Sequence, residues 1–121
     1  MSRMLVIRDA QMEALAQSLR DAFEKRARAH LRDLFPEDCA ELSEGPLGDR
    51  IRESIARAQS YGLMSEDELL TFLEQVFILG PDFDNQYAWA REVLTHDRMG
   101  PATKAELLTR LTDQYLGVTE D

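Results

Sequence analysis

The middle of the chain contains the stretch SEDELLTFLEQVFILGP, residues 65–81. Its opening has the pattern of a capping box, because Ser65 can cap a helix start and Glu68 follows three residues later. The residues after the box are apolar on nearly every side of a helical wheel, which is typical of a helix buried all round. A glycine and a proline then end the helix. We therefore predict that Leu69–Leu79 is the most buried helical segment and the centre of the fold.

Helical spacing continues on both sides of this central helix. Before it, apolar residues recur at steps of three and four from about Ala10 to Phe35. We predict a first helix over this range, with Asp9 as its N-cap and Pro36 as its stop. At about 1.5 Å per residue the helix is roughly 39 Å long, so we expect one end to project from the bundle. Further helices are predicted over about 36–42, 47–61, 86–95 and 101–117, separated by loops at 43–46, 82–85 and 96–100.

The chain has the length and apolar content of one small helical domain. With 121 residues and 44% hydrophobic composition, it can bury a core of its own. No segment alternates apolar and polar residues as a half-buried strand does. We predict an all-α fold, a compact bundle of five or six helices with a long N-terminal helix, over a single domain of residues 1–121. The last helix is expected to direct four residues inward: Leu107, Leu108, Leu111 and Tyr115.

The charge of the chain is acidic and uneven. The formal net charge is −9, and residues 61–121 carry four basic against twelve acidic side chains. Such a surface repels nucleic-acid phosphates and anionic lipid headgroups, so we expect neither as a partner. It suits a basic protein surface, although solubility alone would account for it equally well.

A single cysteine and a short N-terminal apolar run indicate the cytoplasm. Cys39 cannot form an internal disulfide, so the fold does not need an oxidising compartment. The carboxylates of Glu37, Asp38 and Glu41 should raise the pKa of its thiol, which is the wrong direction for a nucleophile. The apolar run Met4–Ile7 is too short for the core of a signal peptide, and no run reaches the length of a membrane span. We expect a cytoplasmic protein without a membrane partner.

One stretch begins like a calcium loop. Asp82, Asp84 and Gln86 have the spacing of the first three ligand positions. The loop also needs glycine at its sixth position and glutamate at its twelfth, where this chain has a tyrosine and a valine. We favour a structural interpretation, in which Asp84 or Asn85 caps the helix that follows.

The histidines do not form a recognisable site either. His96 and Asp97 resemble the adjacent pair of metal-dependent phosphohydrolases, but that site needs further His and Asp ligands on other helices. The only other histidine, His30, lies on an arginine-rich helix face. No hydrolase triad and no glycine-rich phosphate loop can be inferred. The sequence therefore predicts no catalytic residue, no metal site, no cofactor and no enzymatic activity.

The first helix is the one basic element. It carries five basic residues: Arg20, Lys25, Arg26, Arg28 and Arg32. Such a face could bind nucleic acid, but acidic residues are interleaved and no aromatic side chain outside the apolar stripe accompanies the arginines. Two ion pairs within the helix are predicted: Asp21–Lys25 and Glu24–Arg28. We favour a solvated, salt-bridged face.

The turn after the central helix is a candidate docking surface for a protein partner. It brings five residues close together in sequence: Asp82, Phe83, Asp84, Tyr87 and Trp89. Aromatic residues ringed by polar groups are typical of interface centres, and a simple connection does not need them. The alternative is that Phe83 and Trp89 fill the core beneath the turn.

Three stretches carry a resemblance to a known group of proteins. They are AQSYGLMSEDE at 58–68, FILGPDFD at 77–84 and WAREVL at 89–94. Together they resemble small all-helical proteins encoded in bacterial type VI secretion effector clusters, which share a Tyr-Gly helix junction, a Gly-x-x-Phe-Asp turn and a Trp-Ala helix. The resemblance implies an adaptor or co-chaperone that assists an effector or its chaperone before export. An immunity-type inhibitor that neutralises a toxin is the alternative. The resemblance brings no catalytic residues with it, and the oligomeric state stays open.

Overall fold

The computed structural model describes the backbone of residues 2–117 and the side chains of residue 14 and of residues 16–117. Seven helices follow one another along the described chain: α1 (Ser2–Leu34), α2 (Pro36–Glu41), α3 (Glu44–Ser60), α4 (Glu66–Leu79), α5 (Phe83–Gln86), α6 (Ala88–Leu94) and α7 (Pro101–Leu116). Residues 2–117 contain no strand, so the predicted all-α class is confirmed. The one helix that the sequence did not predict is the short α5, which forms where only a turn was expected.

Helix α4 is the central element, as its sequence predicts. It packs against α1, α3, α5 and α7. The predicted capping box is formed: the Ser65 hydroxyl accepts from the Glu68 amide at 3.2 Å, and the Glu68 carboxylate accepts from the Ser65 amide at 3.0 Å. Burial of the helix is less complete than predicted, because Ile78 is exposed and Phe77 is half-buried against Phe35, with ring centroids 5.6 Å apart.

Helix α1 begins earlier than its pattern predicts. It starts at Ser2 rather than at Ala10, so Asp9 lies inside the helix and is not its N-cap. An aspartate inside a helix costs only a few tenths of a kcal/mol, and the surrounding good helix formers outweigh that cost. The predicted stop is confirmed, because α1 ends one residue before Phe35 and α2 begins at Pro36.

The described residues of α1 before Phe23, namely residue 14 and residues 16–22, contribute no buried side chain to the core. The helix has 33 residues and is therefore about 50 Å long. Among its described side chains, Phe23 is the first that is buried, and Leu19 is 62% exposed. The expectation that one end projects from the bundle agrees with this distribution.

Helix α3 also starts earlier than predicted, at Glu44 rather than at Leu47. Pro46 falls in its first turn, where an amide has no partner within the helix and a missing N–H costs nothing. The first bond of the helix runs from the Leu47 amide to the Ser43 carbonyl at 3.0 Å. At the other end the chain leaves the helix through Gly62, whose φ of +90° favours glycine.

The basic residues of α1 pair with acidic residues of neighbouring helices. Arg26 contacts Glu66 at the start of α4, and Arg28 lies 3.0 Å from Glu44 on α3. In the other direction, Glu24 of α1 contacts Arg52 of α3 at 3.5 Å. The predicted pairs within the helix, Asp21–Lys25 and Glu24–Arg28, are therefore wrong. Glu24 and Arg28 meet partners on α3, and Asp21 accepts from the Gln17 amide group of α1 at 2.9 Å.

Cys39 is buried in the core. Burial is the main reason that the pKa of its thiol is raised, with a smaller contribution from Asp38 and an opposing one from Arg32. The predicted direction is correct, but the neighbouring carboxylates are not its main cause.

Candidate functional site

The five residues of the predicted docking surface separate into two groups. Phe83 and Asp84 are buried, Asp82 is exposed on the turn, and Tyr87 and Trp89 are half-buried at the start of α6. A side chain without exposed surface cannot contact a partner unless the fold opens. We therefore remove Phe83 and Asp84 from the docking surface and keep the other three.

Phe83 belongs to the core, as the alternative interpretation predicted for it. Its ring packs against Phe72 of α4, with centroids 5.0 Å apart. This contact packs the one-turn helix α5 against the central helix. The aromatic residue at this position is thus explained by packing alone.

Asp84 is the acceptor of a buried polar network. Both of its carboxylate oxygens receive bonds from the Arg57 guanidinium, with the Nε contact at 3.3 Å, and the Tyr61 hydroxyl donates to Oδ2 at 2.7 Å. Arg57 also donates to the Pro81 carbonyl at 2.5 Å, and its guanidinium lies 5.7 Å from the centre of the Phe72 ring. The network ties α5 and the preceding turn to the C-terminal end of α3.

This network explains why Asp84 does not cap a helix as predicted. Its side chain turns towards Arg57, and α6 begins after Tyr87 without a side-chain cap. Burial, followed by the hydrogen bond to Asp84, raises the pKa of Tyr61 to about 12. Tyr61 is therefore protonated at neutral pH, and its hydroxyl donates a hydrogen bond to the carboxylate. All three groups satisfy one another, which is the arrangement of a structural anchor.

Tyr87, Trp89 and Tyr115 form a cluster that we call the aromatic surface. Tyr87 lies 5.7 Å from Trp89 and 5.1 Å from Tyr115, and Trp89 lies 6.1 Å from Tyr115, measured between ring centroids. Tyr115 is 56% exposed, so the cluster opens to solvent. The three rings pack on one another. Their outer faces are available to an apolar or aromatic side chain of a partner.

Tyr115 is a member of this surface that the sequence pattern missed. Its spacing from Leu108 and Leu111 placed it on the inward face of the last helix. Helix α7 continues beyond the core at its C-terminal end, so the same face emerges into solvent by residue 115, and Leu116 is exposed as well.

Lys104 is a second residue whose role the sequence reading did not identify. Its ammonium group donates to the Tyr61 carbonyl at 3.0 Å and to the Leu94 carbonyl at 2.8 Å. These carbonyls lie at the C-terminal ends of α3 and α6, where a positive charge is favourable. A lysine four residues before the buried Leu108 stands on an apolar helix face, and that position was the available signal. The side chain is used in joining two helix ends.

The two stretches that the sequence analysis weighed as metal motifs and set aside are not assembled as ligand sets. Both oxygens of Asp84 are occupied by Arg57 and Tyr61, and the His96 ring accepts from the Arg98 amide at 3.2 Å. Within the described part of the chain, no three His, Cys, Asp or Glu side chains come together as metal ligands would. None of the helices in that part has both the length and the apolar character needed to cross a membrane.

Comparison of the chain with protein-family models, curated proteins and solved structures gives no match in any of the three. The resemblance to type VI secretion accessory proteins therefore rests on the sequence stretches that carry it. A function has to be argued from the surface described above.

Proposed function

We propose that the protein is a non-catalytic adaptor that binds another protein through the aromatic surface of Tyr87, Trp89 and Tyr115. The observation that carries this proposal is the exposed face of three mutually packed aromatic rings. Tyrosine and tryptophan are enriched at the centres of interfaces because they provide large, rigid contact areas with a polar edge. The cluster joins the start of α6 to the end of α7, so two helices hold it in place.

The charge of the surroundings favours a basic partner. Residues 61–121 have a charge balance of −8, and Asp82 is exposed on the turn that precedes α5. Opposite charges around an apolar contact increase the rate of association and reject acidic competitors. An aromatic centre within an acidic region would therefore bind a basic surface that offers an apolar or aromatic side chain.

The resemblance in sequence suggests which proteins these are. We propose that the partner is a type VI secretion effector or its chaperone and that the protein acts as an adaptor or co-chaperone in the cytoplasm before export. A second candidate is an immunity-type inhibitor of a basic toxin, which the strong negative charge of the second half favours.

The test uses the chain co-expressed with the products of its flanking genes. Tyr87→Ser and Tyr115→Ser, singly and together, should reduce co-purification of a flanking product by at least tenfold while the melting temperature of the chain stays close to that of the native protein. Leu34→Ser is the matched control. Leu34 is 51% exposed, comparable with the 56% of Tyr115, but it lies at the end of α1 and not on α6 or α7. A double variant that co-purifies the same protein undiminished would refute the assignment of this surface.

Two further measurements separate the candidates. Trp89 is the single tryptophan, so its fluorescence should shift on titration with the purified partner if the ring is covered. An immunity protein protects cells that express the toxin, whereas an adaptor need not protect them. If the native chain protects the cells and Tyr115→Ser does not, the inhibitor is favoured. If the native chain binds its partner but does not protect the cells, the adaptor is favoured.

A further inference from the structure

Two of the three tyrosines in the chain contact each other within the aromatic surface. Tyr87 directly precedes α6 and Tyr115 lies in the last turn of α7, with 5.1 Å between the ring centroids and 70° between the ring planes. The edge of one ring therefore points at the face of the other. The pKa of Tyr87 is raised, chiefly by the nearby hydroxyl of Tyr115, so the two hydroxyl groups lie on the same side of the contact.

Phenol rings held this close are suited to oxidative coupling. A one-electron oxidant removes an electron from each phenol, and each hydroxyl proton passes to water. The unpaired electron of each radical is then shared between the oxygen and the ring carbons, including the two carbons next to the hydroxyl-bearing one. Two radicals combine by forming a bond between one such carbon of each ring. The hydrogens on these two carbons move to the oxygens and restore both phenols, so the pair has lost two electrons and two protons in total.

We propose that Tyr87 and Tyr115 are a modification site, at which one-electron oxidation forms a dityrosine cross-link within the chain. Tyr115 is 56% exposed, so an oxidant in solution reaches one member of the pair directly. The ring centres of the bonded product are only slightly closer than in the native contact, so an adjustment of the two side chains is sufficient. The bond joins α6 to α7 and closes a covalent loop that restricts the unfolded chain, as a disulfide does.

The other aromatic neighbours favour the same product. Trp89 contacts Tyr87 at 5.7 Å and Tyr115 at 6.1 Å between ring centroids. An oxidised indole takes an electron from an adjacent phenol, so a radical formed first on Trp89 ends on one of the two tyrosines. The third tyrosine, Tyr61, packs instead against Phe72 at 6.2 Å, and a phenylalanine ring does not form a phenoxyl radical. Tyr61 therefore provides an internal control.

The experiment oxidises the isolated full chain with tris(bipyridine)ruthenium, persulfate and a light flash. Persulfate accepts the two electrons and is reduced to two sulfate ions. We expect dityrosine fluorescence, a mass lower by two hydrogen atoms and a chain that still migrates as a monomer on a denaturing gel. The yield per chain should not change on tenfold dilution, because the two rings belong to one molecule. Coupling needs no partner protein, so it can fail while the aromatic surface still binds, and the reverse also holds.

Conservative variants identify the two rings. Tyr87→Phe and Tyr115→Phe should each reduce the dityrosine yield at least tenfold, since each removes one phenol and keeps the ring. Tyr61→Phe is the matched control and should leave the yield unchanged. Cross-linking only between chains, or an undiminished yield in either of the first two variants, would overturn the proposal. Oxidation of Tyr115 to other products without any dityrosine would overturn it as well.

Discussion

Arg57 and Asp84 form an ion pair, but removing the charge of one or of the other should change the free energy of unfolding by very different amounts. The carboxylate side chain of Asp84 is 2% exposed, whereas the Arg57 side chain is 31% exposed. Removing Arg57 leaves a negative charge inside the fold with Tyr61 as its remaining side-chain donor. Removing the charge of Asp84 leaves an arginine that can turn into water. The perturbations to compare are therefore Arg57→Met and Asp84→Asn.

The magnitudes follow from this difference in burial. Breaking a buried pair so that one charge stays uncompensated costs about 3–5 kcal/mol, and Arg57→Met falls in this class. It also leaves the Pro81 carbonyl without its donor. Asp84→Asn keeps an oxygen that can accept from Tyr61, so its cost should be about 1–3 kcal/mol, the range for an altered hydrogen bond to a charged group. The double variant should cost about 1–3 kcal/mol less than the sum, because the two residues interact directly.

Urea unfolding followed by far-ultraviolet circular dichroism measures these differences in free energy of unfolding. Arg52→Met is the matched control: Arg52 is also an ion-paired arginine, with Glu24 and Asp49 as its partners, but its side chain is 51% exposed. We expect its cost to be much smaller than that of Arg57→Met, because exposed ion pairs contribute little to stability. Equal costs for Arg57→Met and Asp84→Asn, or additive costs in the double variant, would refute the reasoning, because each would mean that the carboxylate is not sealed from water.

The same measurement checks three further expectations. Ser65→Ala removes the side-chain acceptor of the capping box and should cost about 1 kcal/mol, so an unchanged midpoint would contradict the cap. Phe72→Ala should cost about 3–5 kcal/mol because the ring is fully buried, and Phe77→Ala only about 1–2 kcal/mol because its ring is partly buried, so the reverse order would place the core elsewhere. Lys104→Met leaves two helix-end carbonyls without their donor and should cost about 1–3 kcal/mol. Arg110→Met, an exposed change on the same helix, should stay within about 0.5 kcal/mol. Equal effects of the two changes would mean that the ammonium group of Lys104 does not stabilise the fold.

Features that depend on a few neighbouring residues were predictable from the sequence. The capping box at Ser65 and the break at Pro36 are local chemistry, and each stands where its pattern placed it. The central position of α4 was also predictable, because a helix that is apolar on most sides can satisfy that composition only inside the bundle. The early start of α1 was missed because Asp9 fits a cap as well as it fits a helix interior. The early start of α3 was missed because Gly45 and Pro46 are typical of a loop, although a proline is also tolerated in a first helical turn.

Features that depend on distant partners could not be predicted in the same way. Asp84 meets Arg57 and Tyr61 across more than twenty residues of chain, and no periodicity links them. Within one short turn, Asp84 is buried and Asp82 is exposed, and only the packing of α5 against α3 and α4 decides between them. Tyr115 was predicted on the correct face of the last helix but is exposed there, because the helix continues beyond the core.

The buried anchor and the aromatic surface are connected through a single helical turn, which decides how binding data on this region should be interpreted. The Tyr87 amide bonds to the Phe83 carbonyl at 3.0 Å, and the Tyr87 carbonyl accepts the first bond of α6, from the Ala90 amide at 3.0 Å. Tyr87 is thus held by the same turn that Asp84 fixes to α3. A charge-reversing change at Asp84 would displace the ring without any partner having touched the carboxylate. Loss of binding in such a variant is evidence for the anchor, whereas variants at Tyr87 and Tyr115 that leave Asp84 and Arg57 unchanged measure the contact itself.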